Sequence, residues 1–429
     1  MRAKLTLLSA LAFGTLTGAL AAGCQTYDFE PVEPLAIAQT TVEETINARS
    51  SKPNIMLLVD TSGSMTFPVD PEREINGVKV CKYTVGSETR TCGGEVPCDT
   101  SRCPTRWTDL QAAVPLFLST SGPFVRFGLT TYPSGNEPNT SIACAASTDS
   151  SVRQPLPAAE DDAALLAHAN TINSIIQGIP NSGAGQPSGG TPTSGSLNFV
   201  GNLQGLLSAD RKDFVILLTD GLPNCNKDNP NVGTDTASCR CTLETPTQCS
   251  GSFARRGCLD MSASVQAVQA LKAKDITTIV IGFGAETAAG AGPEVLGAMA
   301  QAGGFGRKCD AQNSCGANDS CDLSTGLCNR AFYQAGNQAE LAKALEEISK
   351  EVIVGNPCLI ELEPAQIPSD PKLIVVYVDG ERLAPGADTW DVNVAANEGV
   401  LFTGAACNRI LASTPQAPVK IEVRAIRQR

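Results

Sequence analysis

Three oxygen-bearing side chains lie within five positions of this sequence: Asp60, Ser62 and Ser64. They directly follow residues 54–59 (NIMLLV), an uncharged apolar run that predicts a buried strand ending in a tight loop. Such a strand would deliver one carboxylate and two hydroxyls to the carboxyl edge of a sheet, where open α/β sheets bind ligands.

Two later segments add oxygen ligands to this set. Thr191 lies in residues 189–193 (GGTPT), at the predicted start of a helix, and Asp220 follows a second predicted buried strand at residues 213–219 (DFVILLT). Oxygen ligands on three separate loops suit a hard divalent cation such as Mg²⁺. By itself the Asp-x-Ser-x-Ser stretch would indicate a polar turn that caps a helix, so the two later segments are what favour a metal site.

The order and spacing of the three segments resemble the metal-ion-dependent adhesion site of von Willebrand factor type A domains, and the resemblance covers residues 53–354. It implies that Ser62, Ser64 and Thr191 bind Mg²⁺ or Mn²⁺ through their hydroxyls. It also implies that Asp60 and Asp220 bind the cation directly or through water. In such a site a partner protein offers a carboxylate to the metal, so the expected function is metal-dependent protein binding or adhesion without catalysis.

Two alternative functions stay open. A hydrolase with Ser62 or Ser64 as nucleophile would need a base, and the only histidine, His168, lies on the flank of a predicted helix at residues 162–177. A metal-dependent hydrolase is less favoured, because hydroxyl ligands activate water less well than the ligands of a zinc site. The other alternative is a structural envelope protein whose metal only stabilises the loops.

The composition limits the partners that such a protein could bind. The chain has 429 residues, of which 42% are hydrophobic and 18% are charged, enough for one large core and a small second domain. Its net charge of −12 would become −14 after loss of an amino-terminal segment that carries Arg2 and Lys4. This negative charge argues against nucleic acid and anionic lipid headgroups as partners.

Residues 1–24 are predicted to be a lipoprotein signal peptide. A short basic start leads into an apolar run, and residues 20–24 (LAAGC) resemble a bacterial lipobox. The implied processing is cleavage before Cys24 and acylation of that cysteine, which would anchor the protein in a membrane of the bacterial cell envelope. Because Gln25 gives no retention signal, we expect the outer membrane, with its periplasmic and surface faces both open. An ordinary secretory signal is the alternative, and two glycines within the apolar run disfavour a transmembrane anchor.

The chain has 17 cysteines, and lipidation of Cys24 would leave an even number for pairing. Even numbers in an exported protein indicate disulfides. Zinc is less favoured, because no nearby histidines or paired Cys-x-x-Cys knuckles accompany the cysteines. Cys358 and Cys407 are expected to pair with each other. Cys144 is expected to pair with one of the five cysteines in the loop after the second predicted strand, preferably Cys225.

The segments outside the main domain differ in pattern. Residues 25–51 are polar, contain proline and show little periodicity, which predicts a flexible tether. Residues 355–429 contain short apolar runs separated by turn signals, which predict a small all-β domain. With the Cys358–Cys407 pair as a staple, a domain of this size could be stable.

Between these segments, strands alternate with helices over residues 52–354. This alternation predicts an α/β fold, a doubly wound and mostly parallel Rossmann-like sheet with helices on both faces. Its helices include residues 107–120, with Thr108 as the expected cap, and residues 193–207.

Cysteine-rich insertions interrupt the α/β pattern at residues 66–106, 225–258 and 309–328. The first insertion either shapes the rim of the metal site or is a tolerated surface loop. The third insertion contains Asp310, Asp319 and Asp322, which could bind calcium. Because their spacing is not that of an EF-hand, their use in turns is preferred.

Overall fold

The computed structural model divides the chain into two compact units, Ser50–Asn356 and the paired segments Met1–Arg49 and Pro357–Arg429. It describes residues 41–46, 52–136, 143–207, 211–233, 239–243, 246–309, 311, 315, 319–354, 358–362, 370–393, 399–411 and 419–428. The predicted signal peptide, with Cys24, and Asp310 lie outside these residues. No helix among the described residues is long and apolar enough to cross a membrane.

Six strands form the central sheet of the unit Ser50–Asn356. In chain order they are β1 (Asn54–Asp60), β2 (Arg126–Tyr132), β3 (Val152–Gln154), β4 (Asp213–Thr219), β5 (Ile276–Phe283) and β6 (Tyr333–Ala335). Their order across the sheet is β3-β2-β1-β4-β5-β6, and every neighbouring pair is parallel except β3 with β2. The chain leaves β1 for β2 on one side and later reaches β4 on the other. The crevice between the carboxyl ends of β1 and β4 is therefore a topological switch point.

The main helices described in this unit are α1 (Arg106–Ser121), α2 (Asp162–Gln177), α3 (Thr193–Val200), α4 (Met261–Lys272) and α5 (Gly292–Gly303), which lie between strands of the sheet, and α6 (Gln338–Val354), which follows β6. The expectation that Thr108 caps α1 is wrong. Thr105 is the cap, and Thr108 is the third helical residue of a reciprocal capping box with it. Helix α3 ends well before residue 207, because Gly201 occupies its C-cap position and is a poor helix former.

Two apolar cores lie on opposite sides of the sheet. Strand β1 is buried along its whole length, and its alternate residues belong to different cores. Ile55 and Leu57 pack in the cluster that contains residues of α1, α2 and α6. Met56 and Leu58 pack in the cluster that contains residues of α3, α4 and α5. The α/β architecture predicted from the sequence is therefore present, with β1 at its centre.

All 16 described cysteines form disulfides. The pairs are Cys81–Cys103, Cys92–Cys98, Cys144–Cys225, Cys239–Cys258, Cys241–Cys249, Cys309–Cys321, Cys315–Cys328 and Cys358–Cys407. They include both pairings expected from the sequence, Cys144 with Cys225 and Cys358 with Cys407. The sulfur atoms of the described cysteines are therefore engaged in covalent bonds rather than available to zinc.

The second unit contains two small antiparallel sheets. One has the order Thr41–Ile46, Ile421–Gln428, Ile374–Val378, Glu381–Leu383, and the other has the order Leu359–Glu361, Gly399–Phe402, Trp390–Asn393. Its core includes the fully buried or nearly buried side chains of Trp390, Phe402 and Val376.

Two expectations for this unit need correction. It is not all-β, because Gly404–Leu411 is a helix. Cys407, which forms the disulfide with Cys358, lies on this helix. The predicted tether also contains a strand, Thr41–Ile46, which pairs antiparallel with Ile421–Gln428. Four of its six residues are β-branched, and such residues favour strands once a partner strand is available.

Candidate metal centre

Asp60 lies at the carboxyl end of β1 and is fully buried. Its Oδ1 accepts a hydrogen bond from the backbone N–H of Ser62 (2.8 Å), and its Oδ2 accepts one from the hydroxyl of Thr219 (2.7 Å). Burial raises the pKa of Asp60 to about 7, and the nearby charge of Asp220 adds to this effect. A carboxylate in this environment gains from a cation that would compensate its charge.

Asp220 follows β4, which is parallel to β1, so the two aspartates lie side by side at the carboxyl edge. Its Oδ1 accepts a hydrogen bond from the hydroxyl of Ser64 (2.9 Å), and the hydroxyls of Ser64 and Ser62 are 3.0 Å apart. Burial raises the pKa of Asp220 although Arg106 opposes the shift. Four of the five candidate ligands are thus joined by short contacts.

The loop that carries Thr191 is bound to the loop after β1. The N–H of Gly63 donates to the carbonyl of Gly189 (3.0 Å), and the N–H of Ser188 donates to the carbonyl of Thr61 (2.8 Å). Thr191 itself is buried, and its hydroxyl has no hydrogen-bond partner among the described residues. That hydroxyl is therefore available to a ligand.

Asn224, the residue directly before the second insertion, fixes the backbone of Thr191. The side chain of Asn224 accepts a hydrogen bond from the N–H of Thr191 (2.7 Å), and the carbonyl of Thr191 accepts one from the N–H of Asn224 (2.9 Å). A Cβ at the neighbouring Gly190 would lie 2.4 Å from the Sγ of Cys225, so only glycine fits there. The Cys144–Cys225 bond thus packs directly against the Thr191 loop.

Arg106, the first residue of α1, is a part of the site that sequence reasoning missed. Its Nη1 donates to Asp220 Oδ2 (2.7 Å) and its Nη2 donates to Glu286 Oε1 (2.9 Å). Burial lowers the pKa of this guanidinium, but the two carboxylates outweigh that effect and the pKa is raised. Its Nε is buried with no partner among the described residues. A positive charge in the first turn of a helix opposes the helix dipole, and that signal could have marked Arg106.

The first insertion lies at the rim of the site. The N–H of Gly94 donates to the hydroxyl of Thr66 in the turn after the metal loop (2.9 Å). The side chain of Gln186, in the loop before Thr191, donates to the carbonyl of Gly94 (3.2 Å). Thr66 is both the first residue of the insertion and the last residue of the turn Gly63–Thr66, which carries Ser64. Gly94 is therefore bonded to that turn and to the loop before Thr191, which favours the interpretation that the insertion shapes the rim of the site.

His168 and the acidic residues of the third insertion lie in other contacts. His168, on α2, forms hydrogen bonds with the side chain of Gln154 (3.2 Å) and the carbonyl of Pro155 (2.9 Å). Asp322 accepts hydrogen bonds from the backbone and hydroxyl of the serine two residues later. Asp319 forms an ion pair with Arg307 (3.0 Å). Both described aspartates of that insertion thus stabilise local turns and pairs.

The donor set fits a hard divalent cation. It consists of hydroxyl and carboxylate oxygens, which Mg²⁺ and Mn²⁺ prefer, and it contains no nitrogen or sulfur ligand. The fold and this cluster define a class of protein: an α/β domain with a candidate cation site at the switch point of its sheet.

No family model and no curated protein matches the chain. Among solved structures, the PilB minor pilin from Streptococcus sanguinis aligns at 16% identity with a TM-score of 0.39, covering 71% of this chain and 62% of that chain. The pilus adhesin SpaC from Lactobacillus rhamnosus GG aligns at 12% identity with a TM-score of 0.39, covering 89% and 39%. Proximal thread matrix protein 1 from the mussel byssus, with a zinc-occupied MIDAS motif, aligns at 13% identity with a TM-score of 0.33, covering 72% and 49%. The chain spans less than two thirds of the length of each.

Proposed function

We propose that this protein is a metal-dependent protein-binding module of the bacterial cell envelope. The observation that supports this most strongly is the meeting of Ser62, Ser64 and Asp220, whose side chains form continuous hydrogen bonds between loops 156 residues apart in the chain. Together with Asp60 and Thr191, these side chains would hold Mg²⁺ or Mn²⁺. The bound cation would supply a Lewis-acidic position for a carboxylate of the partner protein.

Arg106 determines how much positive charge such a cation would present. Its ion pair with Asp220 already compensates part of that carboxylate's charge. The candidate ligands would therefore neutralise a divalent cation less completely than two unpaired aspartates would. A cation with remaining positive charge attracts a carboxylate, which supports an acidic partner in spite of the chain's net charge of −12.

The disulfides support an oxidising compartment, as found outside the cytosol. Together with the lipobox-like residues 20–24, they support a lipoprotein anchored through Cys24 in the outer membrane. Mass spectrometry of the mature protein should find acyl chains on Cys24. An intact Met1 terminus, or a cleaved and unmodified Cys24, would contradict the anchor without affecting the metal site.

The proposed function is tested by capture of partner proteins. The purified chain is immobilised and exposed to envelope and secreted proteins, once with Mg²⁺ and once with chelator. We expect selective capture with Mg²⁺, and loss of capture with chelator or in Asp220→Ala. Asp228→Ala, which removes an exposed carboxylate of the second insertion, is the matched control and should capture normally.

Thermal unfolding in the same two buffers separates the alternatives. A purely structural metal would raise the melting temperature but leave capture unchanged by chelator in protein that is still folded. Capture that is insensitive both to chelator and to Asp220→Ala, with both proteins folded, would refute the adhesion function. Turnover of a captured substrate would instead favour a hydrolase.

A further inference from the structure

A second feature next to the candidate metal site is a pocket of about 260 Å³. It lies beside the carboxyl ends of β1 and β2, where Thr61, Pro133 and Ser188 form part of its lining. Thr61 directly precedes the candidate ligand Ser62. A partner segment that reaches the metal site therefore has the pocket within its immediate surroundings.

Arg153 is the charged member of the described lining residues. It is exposed, and it has no ion pair or hydrogen bond with any residue that the structure describes. An arginine without a partner keeps all of its guanidinium donors available to a ligand. Because the guanidinium forms a planar fork, it suits a carboxylate better than any other protein cation does.

The backbone places this arginine at an irregular position. In the antiparallel pairing of β3 with β2, Val152 lies opposite Thr130 but Gln154 lies opposite Leu129, so Arg153 is the extra residue of a β-bulge. Bulges occur at sheet edges and beside functional sites, where they redirect a side chain. The bulge is in the edge strand of this sheet, and the residue it adds lines the pocket.

The pocket walls are held by contacts that do not depend on a ligand. Ser188 donates its N–H to the carbonyl of Thr61 (2.8 Å), and Ser134 donates its N–H to the carbonyl of Ala145 (2.9 Å). Between these walls, the Cys144–Cys225 bond ties the segment Ala143–Ala145 to the second insertion. A preformed polar pocket costs a ligand less ordering than a mobile loop would.

We infer that this pocket is a subsite for a second acidic side chain of the partner protein, whose first carboxylate goes to the metal. The inference rests on the proposed function and adds a requirement to it: the recognised segment carries two acidic residues a short distance apart. The pocket is smaller than the roughly 300–1,000 Å³ of most small-molecule sites. It therefore suits one side chain better than a complete small ligand.

Synthetic peptides test this inference on the full mature chain. The probes are blocked peptides of equal length: one without acidic residues, one with a single aspartate, and a series with a second aspartate two, three or four residues further on. Fluorescence anisotropy gives their affinities with Mg²⁺ and with chelator. We expect the best diacidic peptide to bind about tenfold more tightly than the monoacidic one, as for a charge-assisted pair.

Arg153→Gln should abolish this tenfold gain and leave Mg²⁺-dependent binding of the monoacidic peptide unchanged. Arg240→Gln is the matched control: it removes an exposed arginine of the second insertion that pairs with Glu294 on α5, and it should retain the gain. Equal affinity of the two peptide types, or a gain that survives Arg153→Gln, would overturn the subsite alone. If no peptide binds in an Mg²⁺-dependent way, the proposed function fails and the subsite fails with it.

Discussion

The first and third insertions share a composition but not a role. Each is folded by two disulfides, Cys81–Cys103 and Cys92–Cys98 in the first, and Cys309–Cys321 and Cys315–Cys328 in the third. Each is also flanked by an arginine that pairs with an aspartate. At the end of the first insertion Arg106 pairs with Asp220, a candidate metal ligand, whereas Arg307 before the third pairs with Asp319 inside the insertion.

The difference comes from the edge of the sheet to which each insertion is attached. The first follows β1 and emerges at the carboxyl edge, where the loops of an open α/β sheet form its binding site. The third precedes β6 and therefore enters the sheet at the amino edge. The strand end to which an insertion is attached thus decides whether it contacts the candidate metal site or contributes only to its own stability.

The largest expected contrast is between the two aspartates. Asp220→Ala should weaken Mn²⁺ binding more than about 100-fold, because it removes a candidate ligand and also leaves Arg106 without its buried partner. Asp319→Ala should leave Mn²⁺ affinity unchanged. Titration followed by electron paramagnetic resonance measures both. Asp220→Asn keeps the shape of the side chain and serves as a control for a folding defect in Asp220→Ala. Wild-type Mn²⁺ affinity in folded Asp220→Asn would contradict the predicted role of Asp220.

Next in size is the contrast between the two arginines. In Arg106→Gln, Asp220 loses its positive neighbour, so a cation should bind roughly thirtyfold more tightly, a change of about 2 kcal/mol. The metal-free protein should be less stable by about 3 kcal/mol, since a buried pair is broken.

Arg307→Gln is the control from the third insertion and should not change the response to Mg²⁺. Urea unfolding with Mg²⁺ and with chelator gives both quantities for each variant. A gain in stability from Mg²⁺ that is the same in Arg106→Gln as in the wild type would show that Arg106 and the cation do not interact.

A smaller contrast in cation affinity concerns the disulfides. The Cys144–Cys225 bond closes 81 residues, and its loss should cost about 4.5 kcal/mol on a chain-entropy estimate. The Cys315–Cys328 bond closes 13 residues and should cost about 3 kcal/mol. Each bond is removed by changing both of its cysteines to serine. Only loss of the Cys144–Cys225 bond should also weaken cation binding, by roughly tenfold, because this bond packs against the Thr191 loop. Calorimetric titration of both variants decides this, and equal cation affinities would mean that the bond only stabilises the fold.

The smallest expected effect is at the rim. Thr66→Val removes the hydrogen bonds that join the first insertion to the metal loop, with a cost of about 1 kcal/mol and a two- to threefold weaker cation affinity. Ser324→Ala removes the hydroxyl hydrogen bond to Asp322 in the third insertion and should leave the cation affinity as it is. Both variants can be measured in one calorimetric series. A larger effect from Ser324→Ala than from Thr66→Val would reverse the comparison.

The sequence was sufficient to predict the features that depend on residues close together in the chain. Strands β1 and β4 are buried on both faces, so they appear as continuous apolar runs, and the polar residues at their ends are easily recognised. The hydrogen bond from the N–H of Ser62 to Asp60 is likewise formed within three residues. The fold class and the proximity of the candidate ligands could therefore be predicted.

Long-range packing accounts for what was missed. The sequence places Arg106 at a helix start, but only the folded sheet brings it between Asp220 and Glu286, which are 114 and 180 residues away. The strand Thr41–Ile46 forms against a partner more than 370 residues later in the chain, so its own pattern was too weak to identify it.

The most direct test of the cation site is anomalous diffraction from crystals of the mature protein grown with Mn²⁺. We predict one strong anomalous peak at the carboxyl ends of β1 and β4, bonded to the hydroxyls of Ser62, Ser64 and Thr191 and adjacent to Asp60 and Asp220. The same crystals grown with chelator should lose it. Ordered loops with no peak at this position, or a peak only in the third insertion, would contradict the account.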